Sequence, residues 1–231
     1  MVIYTAHAGG EKLEKVKELG LGILASIGRG MKGYKDVYRV ALDNGAFSFW
    51  SRGFPFLSSV FRKHIIDAHK AGIKVEWIVA PDMVGKGQES LELSMAWATS
   101  ELKGARLALA VQDGITLQDI NSYVLNHFTT IFVGGTADWK WKTAKDWVNF
   151  SHNNGKHCHI GRCGTLKYLE DAYKMGADSV DSSSFARNDS WHIIEEFMKD
   201  KTKPNKVPPP RSYADRLIPK PRIVPLPRGK K

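Results

Sequence analysis

Eight short runs of apolar, often β-branched residues recur along the chain, and helical periodicity fills nearly every gap between them. The runs are VIYT (2–5), GILAS (22–26), YRVAL (38–42), VEWIVA (75–80), LALAV (107–111), TIFV (130–133), HCHI (157–160) and SV (179–180). Helices are expected over residues 11–19, 56–72, 90–104, 116–127 with Thr116 as N-cap, 143–155, 165–176 and 189–200. Residues 27–37 are too short and glycine-rich for one. Strands joined by helical crossovers lie parallel. Eight such units in about 200 residues predict a compact (β/α)8 TIM barrel. The rival is an open doubly wound sheet. No G-x-G-x-x-G opens a helix after the first strand, which counts against dinucleotide binding.

Charge divides the chain in two. Residues 201–231 hold ten Lys and Arg, one acid (Asp215) and eight of the ten prolines. That leaves a net +9 there, against +1 for residues 1–200, and predicts a nearly neutral folded domain over 1–200 followed by an extended basic arm over 201–231 suited to phosphates. The alternative for the arm is a solvated tail. No apolar run approaches the roughly 18 residues of a membrane span, and the N-terminus lacks the pattern of a signal peptide. The two cysteines, Cys158 and Cys163, are too few for a disulfide framework, so a reducing cytoplasm is expected.

A parallel barrel does its chemistry at the C-terminal ends of its strands. Asp43, Asp82, Gln112 and Asp181 follow the third, fourth, fifth and eighth strands, and Gly134 and Gly135 follow the sixth. His7, Arg162 and Arg187 belong to the same rim. Each acid has a plainer reading. Asp43-Asn44-Gly45 and Gln112-Asp113-Gly114 suit turns, Asp82 can start a loop, and Asp181 can cap a helix. Four such side chains converging from four strands instead suit glycosyl transfer. One carboxylate attacks the anomeric carbon and another moves protons. Acids, an amide and backbone N–H groups also suit the edge of a purine. Phe47, Phe49, Trp50 and Arg52, and Trp139, Lys140, Trp141 and Lys142, are candidates to stack on and clamp a strand, or simply to pack. His157, Cys158, His159 and Cys163 could bind zinc, but a strand of this kind ordinarily packs, and no metal is expected.

These segments resemble the tRNA-guanine transglycosylase superfamily, especially its short, phage-type members acting on DNA. LDNGAF (42–47), APDMVG (80–85), LAVQDG (109–114), IFVGGT (131–136) and HIGRCGTLKYLEDAYKMGADSVDSSSFAR (159–187) follow the order of the family's blocks. The resemblance implies Asp181 as nucleophile and Asp43 as general acid/base and base binder. It implies Asp82 and Gln112 as readers of the base edge, with Gly134, Gly135 and Phe47 beside the base. It implies Arg187 as a phosphate contact; Arg162, Arg52, Trp139, Lys140 and Lys142 are expected from their rim positions to contact nucleic acid. The implied activity, similar to queuine tRNA-ribosyltransferase, exchanges guanine for a 7-deazaguanine such as 7-cyano-7-deazaguanine, without a cofactor. The C-x-C-x-x-C zinc insertion of the tRNA enzymes is missing, and Met83, Asn44 and Ala46 depart from the family's blocks. DNA is therefore expected as substrate rather than tRNA, in a host cytoplasm if the chain is phage-encoded. The alternatives are the same exchange on tRNA, a metal-dependent barrel hydrolase, and a non-catalytic nucleic-acid-binding barrel.

Overall fold

The computed structural model describes residues 1–201. The basic arm expected beyond Lys201 lies outside the described residues. Eight parallel strands close into a barrel in chain order. They are β1 (Val2–Thr5), β2 (Gly22–Ala25), β3 (Arg39–Leu42), β4 (Val75–Val79), β5 (Leu107–Val111), β6 (Thr130–Val133), β7 (His157–Ile160) and β8 (Ser179–Ser182). Pairing of Val2 with Ser179 through Thr5 with Ser182 closes the ring. The helices are α1 (Glu11–Glu18), α2 (Ala46–Trp50), α3 (Ser58–Lys70), α4 (Gly87–Thr99), α5 (Ser122–Leu125), α6 (Ala137–Asn153), α7 (Leu166–Met175), α8 (Ser184–Arg187) and α9 (Trp191–Lys201). None of the described helices is long and apolar enough to cross a membrane.

The strands alternate between two apolar surfaces, as their period of two requires. Ile23, Val40, Leu109, Ile131, Ile160 and Val180 belong to the main core, which the helices share. Tyr4, Leu24, Ala41, Trp77, Val79, Ala108 and Ala110 form a second cluster, with Val2 and Phe132 against it. This second set fills the barrel interior. Its size pattern is complementary: Ala41, Ala108 and Ala110 leave room for Trp77 and Tyr4, whose rings meet edge to face at 5.6 Å. Gly22 is part of that fit, because a Cβ there would lie 2.5 Å from the Tyr4 ring. At the N-terminal end of the interior, Arg39 forms an ion pair with Glu76, and Tyr4 Oη donates to Glu76 Oε2 at 2.6 Å.

All eight expected strands are present, and the helices differ mainly at their ends. The stretch 116–127 is split into a 3-10 turn (Leu117–Asp119) and the short α5. Two caps compete there. Asp119 accepts from Thr116 N and Oγ1, and Asn121 accepts from Val124 N and starts a new turn. Helix α6 begins at Ala137, six residues before the expected start, because Thr136 accepts from Trp139 N as N-cap. Helix α4 stops at Thr99, where the hydroxyls of Thr99 and Ser100 bond the carbonyls of Met95 and Ala96. The short α2 and α8 lie in segments read as rim loops.

Candidate active site

Strand register delivers the acids to one end of the barrel. Asp43 continues the inward face of Ala41, Gln112 that of Ala108 and Ala110, and Asp181 shares a face with Ser179. Asp82 follows Pro81, three residues beyond the end of β4. The carboxylates are close enough to act on one another. Burial, then the charges of Asp181 and Asp82, push the Asp43 carboxyl up to about 7, against hydrogen bonds from the Gly45 and Asn44 amides. Asp43 is nevertheless only half-buried and stays in touch with the mouth.

Asp82 is buried and held from both sides. Asn44 Nδ2 donates to Oδ1 at 2.7 Å and Gln112 Nε2 to Oδ2 at 3.2 Å. Burial pushes its carboxyl up to about 6, with those two bonds pulling the other way. Asn44 is fixed in turn by the Ala80 carbonyl and the Ala46 amide. Gln112 Nε2 also reaches Met83 O and Ser90 Oγ, and Oε1 accepts from Gly85 N at 2.7 Å. Gln112 therefore faces Asp82 and the β4 loop in this structure, so its amide is engaged within the protein.

Asp181 Oδ1 lies 3.0 Å from His159 Nε2 and accepts from the Arg162 amide at 3.2 Å. Its carbonyl accepts from Cys163 N at 2.6 Å. Arg162 achieves this with φ 59°, a left-handed conformation that costs a non-glycine residue about 1–2 kcal/mol. Strain of this kind collects where function over-determines the backbone. The exposed Arg162 guanidinium bonds the Gly135 carbonyl and lies 5.2 Å over the Phe47 ring, so one side chain bridges the β6, β7 and β3 loops.

Other expected site residues are less central. Gly134 N donates to Val111 O at 2.9 Å. Gly135 has φ 73°, and a Cβ on it would meet Asp113 Oδ2 and Trp139 at 2.7 Å. Its need for glycine is thus packing as well as backbone conformation. Lys140 corrects its expected place among rim cations: it is 2% exposed, its Nζ bonds the Gly161 carbonyl, and burial lowers its pKa. The early start of α6 turns it inward. Trp139 and Trp141 are partly buried, Trp141 stacking on Tyr168 at 4.6 Å, while Lys142 is exposed. Arg52 and Arg187 are exposed, and Phe47, Trp50 and Phe54 are 51%, 56% and 58% exposed. His7 Nδ1 pairs with Tyr34 Oη at 2.6 Å, at the end of β1.

Among the described residues no group of three or more His, Cys, Asp or Glu is arranged to hold a metal. Burial pushes the thiols of Cys158 and Cys163 up to about 12, away from the thiolate form that ligates. Clefts of about 440 and 320 Å³ lie elsewhere, the first beside Met1, Leu21 and Phe197, the second between Gly28–Gly30 and α3. His159 and Asn44 contact Asp181 and Asp82, whereas the sequence had offered them only as a possible zinc ligand and a turn residue; Ser179, behind His159, was not singled out. For His159 and Ser179 the signal was their alternation with apolar neighbours on β7 and β8. No protein-family model matches the chain, and no curated protein matches it.

Proposed function

We propose that this barrel is a base-exchange transglycosylase that replaces guanine in DNA with a 7-deazaguanine base. The observation that carries the reading is the convergence of Asp43, Asp82 and Asp181 at the C-terminal mouth, where burial and the charges of the other two push the Asp43 carboxyl up to about 7. Retaining glycosyl transfer divides its labour between one carboxyl that moves protons and another that attacks.

In the first step a carboxylate oxygen of Asp181 bonds to C1′ of the nucleotide. The bond from C1′ to the base nitrogen breaks, and its electron pair leaves with guanine, which takes a proton from Asp43. In the second step the incoming base gives its ring proton to Asp43. That nitrogen attacks C1′, and Asp181 departs as a carboxylate. Two inversions at C1′ give retention. Asp82, fixed by Asn44 and Gln112, accepts hydrogen bonds from the donor edge of the base. Phe47, Trp50 and Phe54 with Arg52 offer exposed rings and a cation to flanking bases and phosphates. Arg162 must leave the Phe47 ring as a base enters. A duplex target must be flipped out, at a cost of a few kcal/mol.

The test is incorporation of labelled guanine by the full chain into single-stranded DNA, duplex DNA and tRNA. Mass spectrometry would look for a covalent protein–nucleic acid adduct. Exchange into DNA with an adduct is expected. Exchange into tRNA alone would move the substrate, and no exchange into any of the three would remove the reading.

A further inference from the structure

The barrel interior contains a row of polar side chains that the exchange steps above do not use. His157 Nε2 lies 2.6 Å from Ser179 Oγ, and Ser179 Oγ lies 2.8 Å from His159 Nδ1. His159 Nε2 then lies 3.0 Å from Asp181 Oδ1. The row climbs from the N-terminal end of β7 and β8 to the mouth. His159 is fully buried. It stacks on Phe132 at 4.5 Å and meets the edges of Trp77 and Tyr4 at 5.2 and 5.8 Å. Its ring cannot turn without disturbing three aromatic contacts.

From this geometry we infer that His159 is a positioning residue for Asp181, with its tautomer fixed by Ser179 and His157. The inference rests on the transglycosylase reading for its kinetic consequence. An ionised carboxylate only accepts, so His159 Nε2 must carry the proton. In the inferred state the ring is neutral, and its bare Nδ1 accepts from the Ser179 hydroxyl. Ser179 Oγ accepts in turn from His157 Nε2. Every donor in the row points towards Asp181. The groups around His157 agree with a neutral ring there. Burial holds it well below its ordinary value, and His159 and Arg39 act in the same sense, against Asp178 and Glu76. Asp178 is itself held by His152 Nε2 at 3.0 Å and by the Cys158 amide at 2.8 Å.

The consequence is a carboxylate with two different oxygens. Oδ1 is held by the His159 ring and the Arg162 amide, while Oδ2 takes no hydrogen bond among the described residues. Oδ2 is the attacking atom, and the two donors on Oδ1 fix the plane in which it approaches C1′. Displacing a reacting atom by about 1 Å costs roughly 100-fold in rate.

Two variants and one spectrum test this. His159→Phe keeps a ring for the aromatic stack and removes the donor, whereas His159→Gln supplies an amide N–H in its place. His159→Phe should lower kcat for exchange roughly 100-fold with KM little changed, and His159→Gln should recover most of that loss. Equal kcat in wild type and His159→Phe would overturn the inference. Nitrogen-15 NMR of the histidine-labelled full chain reads the tautomer without any substrate. It should show His159 neutral with its proton on Nε2, and Ser179→Ala should shift its Nδ1 resonance. A proton on Nδ1, or an imidazolium, would overturn the inference even if exchange is found. The expected spectrum with no exchange on any nucleic acid would remove the transglycosylase reading and leave the positioning of Asp181 standing.

Discussion

The two ends of the barrel interior handle their carboxylates in opposite ways. At the N-terminal end Glu76 has a cation and a hydroxyl to itself, Arg39 and Tyr4. At the mouth, Asp43, Asp82 and Asp181 form no ion pair with Lys or Arg among the described residues, and two of the three carboxyls are pushed well up by burial. Lys140 stands near Asp181, yet its ammonium bonds the Gly161 carbonyl. The lower cluster spends its charges on holding strands β1, β3 and β4 together. The upper cluster leaves its carboxyls without a cation, which costs stability and, under the proposed function, suits them to attack carbon and transfer protons.

The sharpest way to break this contrast is a neutral substitution at each end. Asp181→Asn should lower exchange by at least about 10⁴-fold, as loss of a nucleophile does, and abolish the adduct, with little change in thermal midpoint. Full activity would remove the nucleophile role. Glu76→Gln should do the reverse. Arg39 would lose its counter-charge, so stability should fall by about 2–3 kcal/mol in urea unfolding, less than for a fully buried pair because both partners are partly exposed. Exchange measured on the folded protein should hardly move. An active-site defect in Glu76→Gln with unchanged stability would erase the distinction between the ends.

Asp43 gives a smaller effect that depends on pH. Its folded-state pKa of about 7 lies above the ordinary carboxylate value, so the folded protein holds the proton over a range where the unfolded chain has lost it. The stability this provides is fully present below about 4 and is lost as pH rises through 7; Asp82 adds to the loss up to about 6. Asp43→Asn should therefore be more stable than wild type at pH 8, by about 2 kcal/mol in denaturant titrations, with the gap closing towards pH 4. A gap independent of pH would mean that Asp43 ionises as an exposed group does. The same proton should appear in single-turnover adduct formation, which should slow as pH rises through about 7 because the departing base takes that proton.

The smallest change is expected at Phe47. Phe47→Ala removes the ring under Arg162 and part of the exposed aromatic surface. It should raise KM for single-stranded DNA by roughly 5–10-fold, about one stacked base, and leave kcat within about twofold. A large fall in kcat with constant KM would place Phe47 in the chemistry of the mouth rather than in holding the strand.

Much of this was legible in the chain. Alternating apolar runs and helical periods determined a parallel barrel, and its strand ends determined that Asp43, Asp82 and Asp181 share a mouth. His157 and His159 were readable as two residues on one strand face. These are consequences of local period and turn chemistry, which act over a few residues. Only the tertiary structure decided which partners those side chains meet. The bond from His159 to Asp181 spans 22 positions, and it depends on the register of β7 against β8. The turn of Gln112 towards Asp82 spans 30. The burial of Lys140 follows from a helix that begins six residues earlier than its hydrophobic period suggests, and the bridge from Arg162 to Phe47 joins loops far apart in the chain. Register, loop closure and competition among donors are set by all eight strands at once, and no window of sequence contains them.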